Sequence, residues 1–218
     1  MTGVMTKSWF PRVAHRRWPR VRLLCVGGAG TGPSEFACWS TELPGSVELW
    51  PAQLPDRQAP VPSIGELADD LAEQLWHCSE PSLPWALFGH GFGSLVVYEV
   101  AKRILGVLPM CGLIVSAMPV PHRQTDRRPD DTLLNLVRRT DGPRRPAPLP
   151  CPILALGGAG DPDARPEDLA QWCEYTSKSF AYQQIGTGHF FHRDSRPDVV
   201  ATVAAQLDEW TQPVAVYR

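Results

Sequence analysis

The segment Gly89-His90-Gly91-Phe92-Gly93 has the spacing of a Gly-x-Ser-x-Gly elbow with glycine at the serine position. Such an elbow puts its central residue on a sharp strand-to-helix turn, where small neighbours let the backbone bend and hold the central side chain out for attack. With Gly91 there, the scaffold for covalent catalysis is present and the attacking hydroxyl is not. Two further candidates follow: Asp161 in Gly157-Gly-Ala-Gly-Asp-Pro162 and His189 in Gly186-Thr-Gly-His-Phe-Phe191. A histidine can take and return a proton, while a carboxylate behind it fixes its tautomer and stabilises its cation. Ser94 lies about one helical turn beyond the elbow and is poorly placed to replace the missing nucleophile. His192 competes with His189 for the base role only from the far side of Phe190 and Phe191.

Each feature also has a plainer reading. A glycine cluster between strand and helix can cradle a phosphate, but here the pattern is Gly-x-Gly-x-Gly and not Gly-x-Gly-x-x-Gly. It lies far from the N-terminus, and no acidic ribose ligand follows a second strand in an obvious place. Asp161 alone could end a turn as an Asp-Pro pair, and a lone histidine often serves only as a hydrogen-bond partner of a nearby loop. The three together, in the order elbow, acid, histidine, are far more specific.

The elements needed to position them can be read from periodicity. Val21–Val26 is a strand running into the glycine-rich stretch 27–32, Val47–Trp50 is a second, and Ile64–Trp76 is an amphipathic helix with acidic residues outward. Trp85–Phe88 is the strand before the elbow and Ser94–Ile104 the helix after it. Cys111–Ser116, Cys151–Leu156 and Tyr182–Ile185 read as strands, and Pro166–Ser177 and Val199–Trp210 as helices. Strands alternating with helices imply a mostly parallel sheet with helices on both faces and its chemistry at the carboxyl ends of the strands. The stretch about 119–150 is rich in Pro, Arg and Asp, with one short helix at Asp131–Arg139, and reads as a reduced lid.

Composition narrows the function classes. The 218 residues, 43% of them hydrophobic, suit a single domain spanning 1–218. A net charge of −2 gives no basis for binding nucleic acid, and the basic runs His15-Arg16-Arg17 and Gly142-Pro-Arg-Arg-Pro146 read as solvated. The six cysteines show no Cys-x-x-Cys spacing, so buried free thiols in a cytoplasmic protein are expected, with neither a metal site nor a disulfide framework. No apolar run reaches the ~20 residues needed to span a bilayer, so no membrane role is expected.

The chain resembles the type II thioesterases of polyketide and nonribosomal peptide pathways, α/β hydrolases that remove acyl groups from the phosphopantetheine arm of carrier proteins. The resemblance runs from about Trp9 to Trp210. It is carried by Leu23–Gly32, by Val47-Glu-Leu-Trp-Pro-Ala-Gln-Leu-Pro55 with Arg57, by Leu87–Gly93, by Leu154–Gly158 with Asp161-Pro162, and by Gly188-His-Phe-Phe191. It implies an α/β-hydrolase fold, an acyl or peptidyl carrier protein as partner, and no cofactor. Asp161 and His189 match the family's acid and base, and the backbone N–H groups of Ala29 and Phe92 match its oxyanion hole. Three departures stand out: Gly91 replaces the nucleophile, Gly27-Gly28 replaces the family's usual Pro-His pair, and the lid is shortened.

Together these departures point to an enzyme that has given up acyl-enzyme chemistry and kept a His-Asp dyad for dehydration, isomerisation or cyclisation, as a lyase or cyclase in antibiotic-type biosynthesis. A hydrolytic thioesterase lacking its nucleophile, or a carrier-binding protein without catalysis, are the alternatives. The expected site is an open, apolar-walled cleft bounded by Gly28, Ala29, Gly91, Phe92 and His189.

Overall fold

In the computed structural model the described residues are 9–11, 13–28, 32–54, 63–78, 82–121 and 147–212. They form a six-stranded sheet in the order β2-β1-β3-β4-β5-β6. The strands are β1 (Val21–Val26), β2 (Val47–Pro51), β3 (Trp85–His90), β4 (Met110–Ser116), β5 (Ile153–Ala159) and β6 (Phe180–Thr187). Every pairing is parallel. β1, β2 and β3 are buried along their whole length, as strands covered on both faces must be, which is why they read as continuous apolar runs. β6, at the sheet edge, exposes most of its residues.

Two helices pack together over the central strands: α3 (Ile64–Cys78) and α4 (Phe92–Ile104). α3 buries Ile64, Leu67, Ala68, Leu71 and Leu75, one stripe at helical spacing. It starts with a capping box: Ser63 N–H donates to Glu66 Oε2 at 2.7 Å, and Glu66 N–H donates to Ser63 Oγ at 3.2 Å. α4 is buried nearly all round, as befits the helix that carries the elbow into the core. Two single-turn helices, α1 (Ser34–Ala37) and α2 (Trp39–Glu42), follow β1 and were not expected from the sequence. Their Phe36 and Trp39 meet Phe88 edge-on at 5.0–5.8 Å, which ties this connection to the sheet.

The helix expected over Pro166–Ser177 differs. It is one α-turn, α5 (Pro166–Leu169), followed by a 3₁₀ segment over Ala170–Tyr175. Three residues per turn align Trp172 above Tyr175, and both rings pack on Tyr98 of α4 at 5.5 and 5.4 Å. Trp172 Nε1–H also donates to the Met118 carbonyl at 2.8 Å. A further turn, α6 (Phe191–Asp194), leads into the last helix, α7 (Arg196–Thr211), which packs on α2 and β4. In α7 the sequence pattern placed the start three residues too late, because Arg196 and Pro197 open the first turn without contributing to the apolar stripe.

Arg16 was expected to be solvated but is built into the fold. Its Nε–H donates to the Val47 carbonyl at 3.2 Å, and its guanidinium also reaches Ser40 O. Ala14 bridges Leu49 antiparallel, so residues 14–16 cover the open edge of β2. The cysteines are free thiols; Cys25 and Cys151 are buried as expected, whereas Cys78 and Cys173 are exposed. No helix among the described residues is long and apolar enough to cross a membrane. The expected lid helix at 131–139, Arg57 and the basic loop at 142–146 lie outside the described residues.

Candidate active site

The strand order turns back between β1 and β3, so the loops leaving their carboxyl ends diverge there and open a crevice. Gly27-Gly28 and the elbow stand at this point, with Val26 of β1 in register with Gly89 of β3. A Cβ on Gly89 would run into the backbone of Gly93 and Ser94, and one on Gly93 into the carbonyls of Val26 and Gly27. The two outer glycines are thus required by close approach of the turn to its own helix and to β1. Gly91 adopts φ 53° and ψ −130° as the N-cap of α4, a conformation that L side chains rarely take. The elbow is therefore present in backbone geometry, with the central side chain reduced to hydrogen.

The sharp turn is fastened from below. Ser94 Oγ–H lies 2.8 Å from the Gly89 carbonyl and 3.1 Å from the Ser116 carbonyl, and Ser116 N–H donates to Ser94 Oγ at 3.1 Å. Ser94 is fully buried in these bonds, which agrees with its exclusion as a nucleophile. Phe92 N–H is the first of α4, beside Gly91, and like every helix-start N–H has no intrahelical carbonyl to bond. Ala29, the other expected oxyanion donor, lies outside the described residues; Gly28 is described, and its Cα stands 3.9 Å from the Cβ position on Gly91.

Asp161 and His189 come together as their order implied. Asp161 leaves β5 and His189 leaves β6; Gly188 N–H donates to the Ala159 carbonyl at 2.8 Å and holds the two loops side by side. His189 Nδ1 lies 2.9 Å from Asp161 Oδ2. A carboxylate only accepts, so Nδ1 carries the proton, and in the neutral ring the lone pair is on Nε2. The carboxylate is fully buried while the imidazole is 27% exposed, so the pair meets solvent through the base alone. Nε2 stands 3.7 Å from the position of a Cβ on Gly91. Asp161 Oδ1 accepts from Asp163 N–H at 2.8 Å, which fixes the carboxylate in its turn. Donor atoms of Asp161, Asp163 and His189 cluster within 4.8 Å, but Asp161 already uses both oxygens in the dyad and its turn, so the arrangement reads as acid and base more than as ligands.

His192 takes a different place from the one its sequence position offered. It is buried and bonds through Nε2 to Glu35 of α1, which also receives the Arg193 guanidinium. Its ring stacks on His90 with centroids 3.5 Å apart, and His90 in turn lies 5.3 Å from His189. His90 Nδ1 is 2.9 Å from Ser116 Oγ. Burial first, and then the neighbouring His192, His189 and Arg193, push His90 well below its ordinary range, which favours its neutral form. Burial alone would raise the Glu35 carboxyl, but hydrogen bonds from His192 and Arg193 outweigh it and bring it down to about 2. Glu35, His90 and Ser116 were missed in the sequence; only the buried partner of each would have marked it.

A cavity of about 430 Å³ opens between Ser34, Glu35 and Cys38 on one side and His192, Arg193 and Arg196 on the other. Its walls mix apolar surface with charged side chains, and none of Gly28, Gly91, Phe92 and His189 lines it, so it lies apart from the cleft expected from the sequence.

The thioesterase domain family matches residues 21–148. Thioesterase PikA5 of Streptomyces venezuelae is 33% identical over 86% of this chain and 81% of its own length. The gramicidin S biosynthesis protein GrsT of Aneurinibacillus migulanus is 27% identical over 92% and 94%. Among solved structures, RedJ, the thioesterase of the prodiginine pathway in Streptomyces coelicolor, is 30% identical with a TM-score of 0.73, covering 91% of this chain and 92% of RedJ. The type II thioesterase BorB of the borrelidin cluster, at 24% identity, shares the fold with a TM-score of 0.78 over 94% of this chain and 98% of BorB. The chain belongs to the thioesterase family of α/β hydrolases, alongside the type II thioesterases of polyketide and nonribosomal peptide pathways.

Proposed function

We propose that this protein acts on a carrier-bound or released acyl intermediate of a polyketide or nonribosomal peptide pathway by proton transfer at His189, oriented by Asp161, without an acyl-enzyme. The observation that carries the reading is the bond from His189 Nδ1 to Asp161 Oδ2 at 2.9 Å, with Nε2 facing a residue that has no nucleophile. Dehydration, double-bond isomerisation and cyclisation each need a base beside an acidic carbon or a hydroxyl, and an enolate forming there gains from a donor such as Phe92 N–H. A positioned base of this kind is worth about 10²–10⁴-fold. Carrier proteins enter as partners through the type II relatives, which fits an acyl group delivered as a thioester.

A second reading, slow thioester hydrolysis, is favoured by the thioesterase names of the relatives and by the preserved elbow backbone. The experiment incubates the protein with hydroxyacyl and enoyl carrier-protein intermediates and follows products by mass. Products that differ from the free acid, formed by the wild type and lost in His189→Ala, support proton transfer; undiminished activity in His189→Ala removes it.

A further inference from the structure

We infer that the vacancy at Gly91 is the seat of a diffusible nucleophile, and that the protein transfers the acyl group of a thioester directly to water or a small alcohol. This rests on the reading of His189 as base and extends it to a further activity. Apart from its chain neighbours, a Cβ at Gly91 would meet two atoms of the described residues within 4 Å, His189 Nε2 at 3.7 Å and Gly28 Cα at 3.9 Å, both at ordinary contact distance. The Cβ position at Gly91 is therefore free, between the imidazole on one side and Gly28 on the other. An oxygen placed there can lie about 2.8 Å from Nε2, a normal hydrogen-bond distance. The 27% exposure of His189 gives a small molecule a way in.

The chemistry balances without a covalent enzyme intermediate. The incoming O–H gives its proton to His189 Nε2 as the oxygen bonds to the thioester carbonyl carbon. The carbonyl oxygen takes the negative charge, toward which Phe92 N–H can donate. Collapse of this adduct breaks the C–S bond, and the thiolate leaves with the proton held by His189. Water gives the acid and methanol gives the methyl ester. The fixed Asp161 bond keeps the imidazole in the tautomer both proton transfers need.

The test uses the N-acetylcysteamine thioester of octanoic acid with the full chain, in buffer alone and with methanol or tert-butanol added. The expected result is octanoate in buffer, methyl octanoate with methanol, no tert-butyl ester, and no acyl adduct on the intact protein by mass. Gly91→Ala fills the seat and should cut both products about 100-fold, the scale of loss expected from a misplacement near 1 Å. Since alanine is strained at φ 53°, the alcohol series on the wild type stands as the independent check. An acyl adduct on the wild type, tert-butyl ester formed as readily as methyl ester, or release no faster than in His189→Ala overturns the inference. If release fails while dehydration, isomerisation or cyclisation still depends on His189, the seat falls and the proton-transfer reading stands. Loss of both removes both.

Discussion

Placing serine at Gly91 tests the elbow through stability and chemistry together. A Cβ there finds ordinary contacts at 3.7 and 3.9 Å, so the substitution introduces no clash. Its cost is backbone strain: a side chain at φ 53° and ψ −130° carries about 1–3 kcal/mol. For a chain of this size that lowers the thermal midpoint by about 2–12 °C, read by differential scanning calorimetry. The gain is a hydroxyl on a carbon 3.7 Å from His189 Nε2, close enough for a serine rotamer to hydrogen-bond the base at about 2.6–3.2 Å. Because loss of the nucleophile costs an optimised triad about 10⁶-fold, Gly91→Ser should raise hydrolysis of octanoyl-N-acetylcysteamine by at least about 10²-fold. A burst of thiol release and an octanoyl adduct on the protein should accompany it. A folded Gly91→Ser protein that forms no adduct and hydrolyses no faster than the wild type would refute the claim that the elbow and base retain triad geometry.

Further substitutions probe the supports of the site. Asp161→Asn should leave the fold intact and lower the His189-dependent rate about 10²–10⁴-fold, since an amide no longer enforces the tautomer; steady-state kinetics checks this. Acidification should weaken the fold in two stages, measured by urea unfolding. His90 is depressed in the folded state, so its contribution is lost as pH falls below about 6.5, where the unfolded chain takes up the proton first. Glu35 is also depressed, so its stabilisation is complete above about 4.5 and lost as pH falls toward about 2, and Glu35→Gln should remove this second stage. Glu48→Ala removes the carboxylate 3.6 Å from the buried Arg22 and the acceptor of Trp50 Nε1–H, costing about 1–3 kcal/mol by denaturant titration; Glu48→Gln should recover part of it.

The elbow was legible because its glycines fall within a span of five residues, although only Gly89 is demanded by the turn itself; Gly93 is demanded by the Val26 and Gly27 carbonyls at the end of β1. The dyad was legible through chain order, since β5 and β6 each release one loop at the same end of the sheet. The histidine stack was not. Glu35 and His192 are 157 positions apart, and nothing near either residue announces the other. His192 resembled a spare base only because it neighbours His189 in sequence; α6 turns it inward, where its partners are Glu35 and His90. The 3₁₀ segment escaped because the spacing of Trp172 and Tyr175 suits an α-helix almost as well, and only the Tyr98 surface decides between them. Arg16 looked solvated because its acceptors are backbone carbonyls, which carry no sequence signature.

The most direct test is time-resolved intact-protein mass spectrometry during turnover of a carrier-bound hydroxyacyl intermediate, run beside the His189→Ala variant. The predicted result is product accumulating on the wild-type protein with no acyl adduct at any time, and loss of that product in His189→Ala. An acyl group found covalently on the wild-type chain, or product formed at the same rate without His189, would contradict catalysis by a nucleophile-free His-Asp dyad.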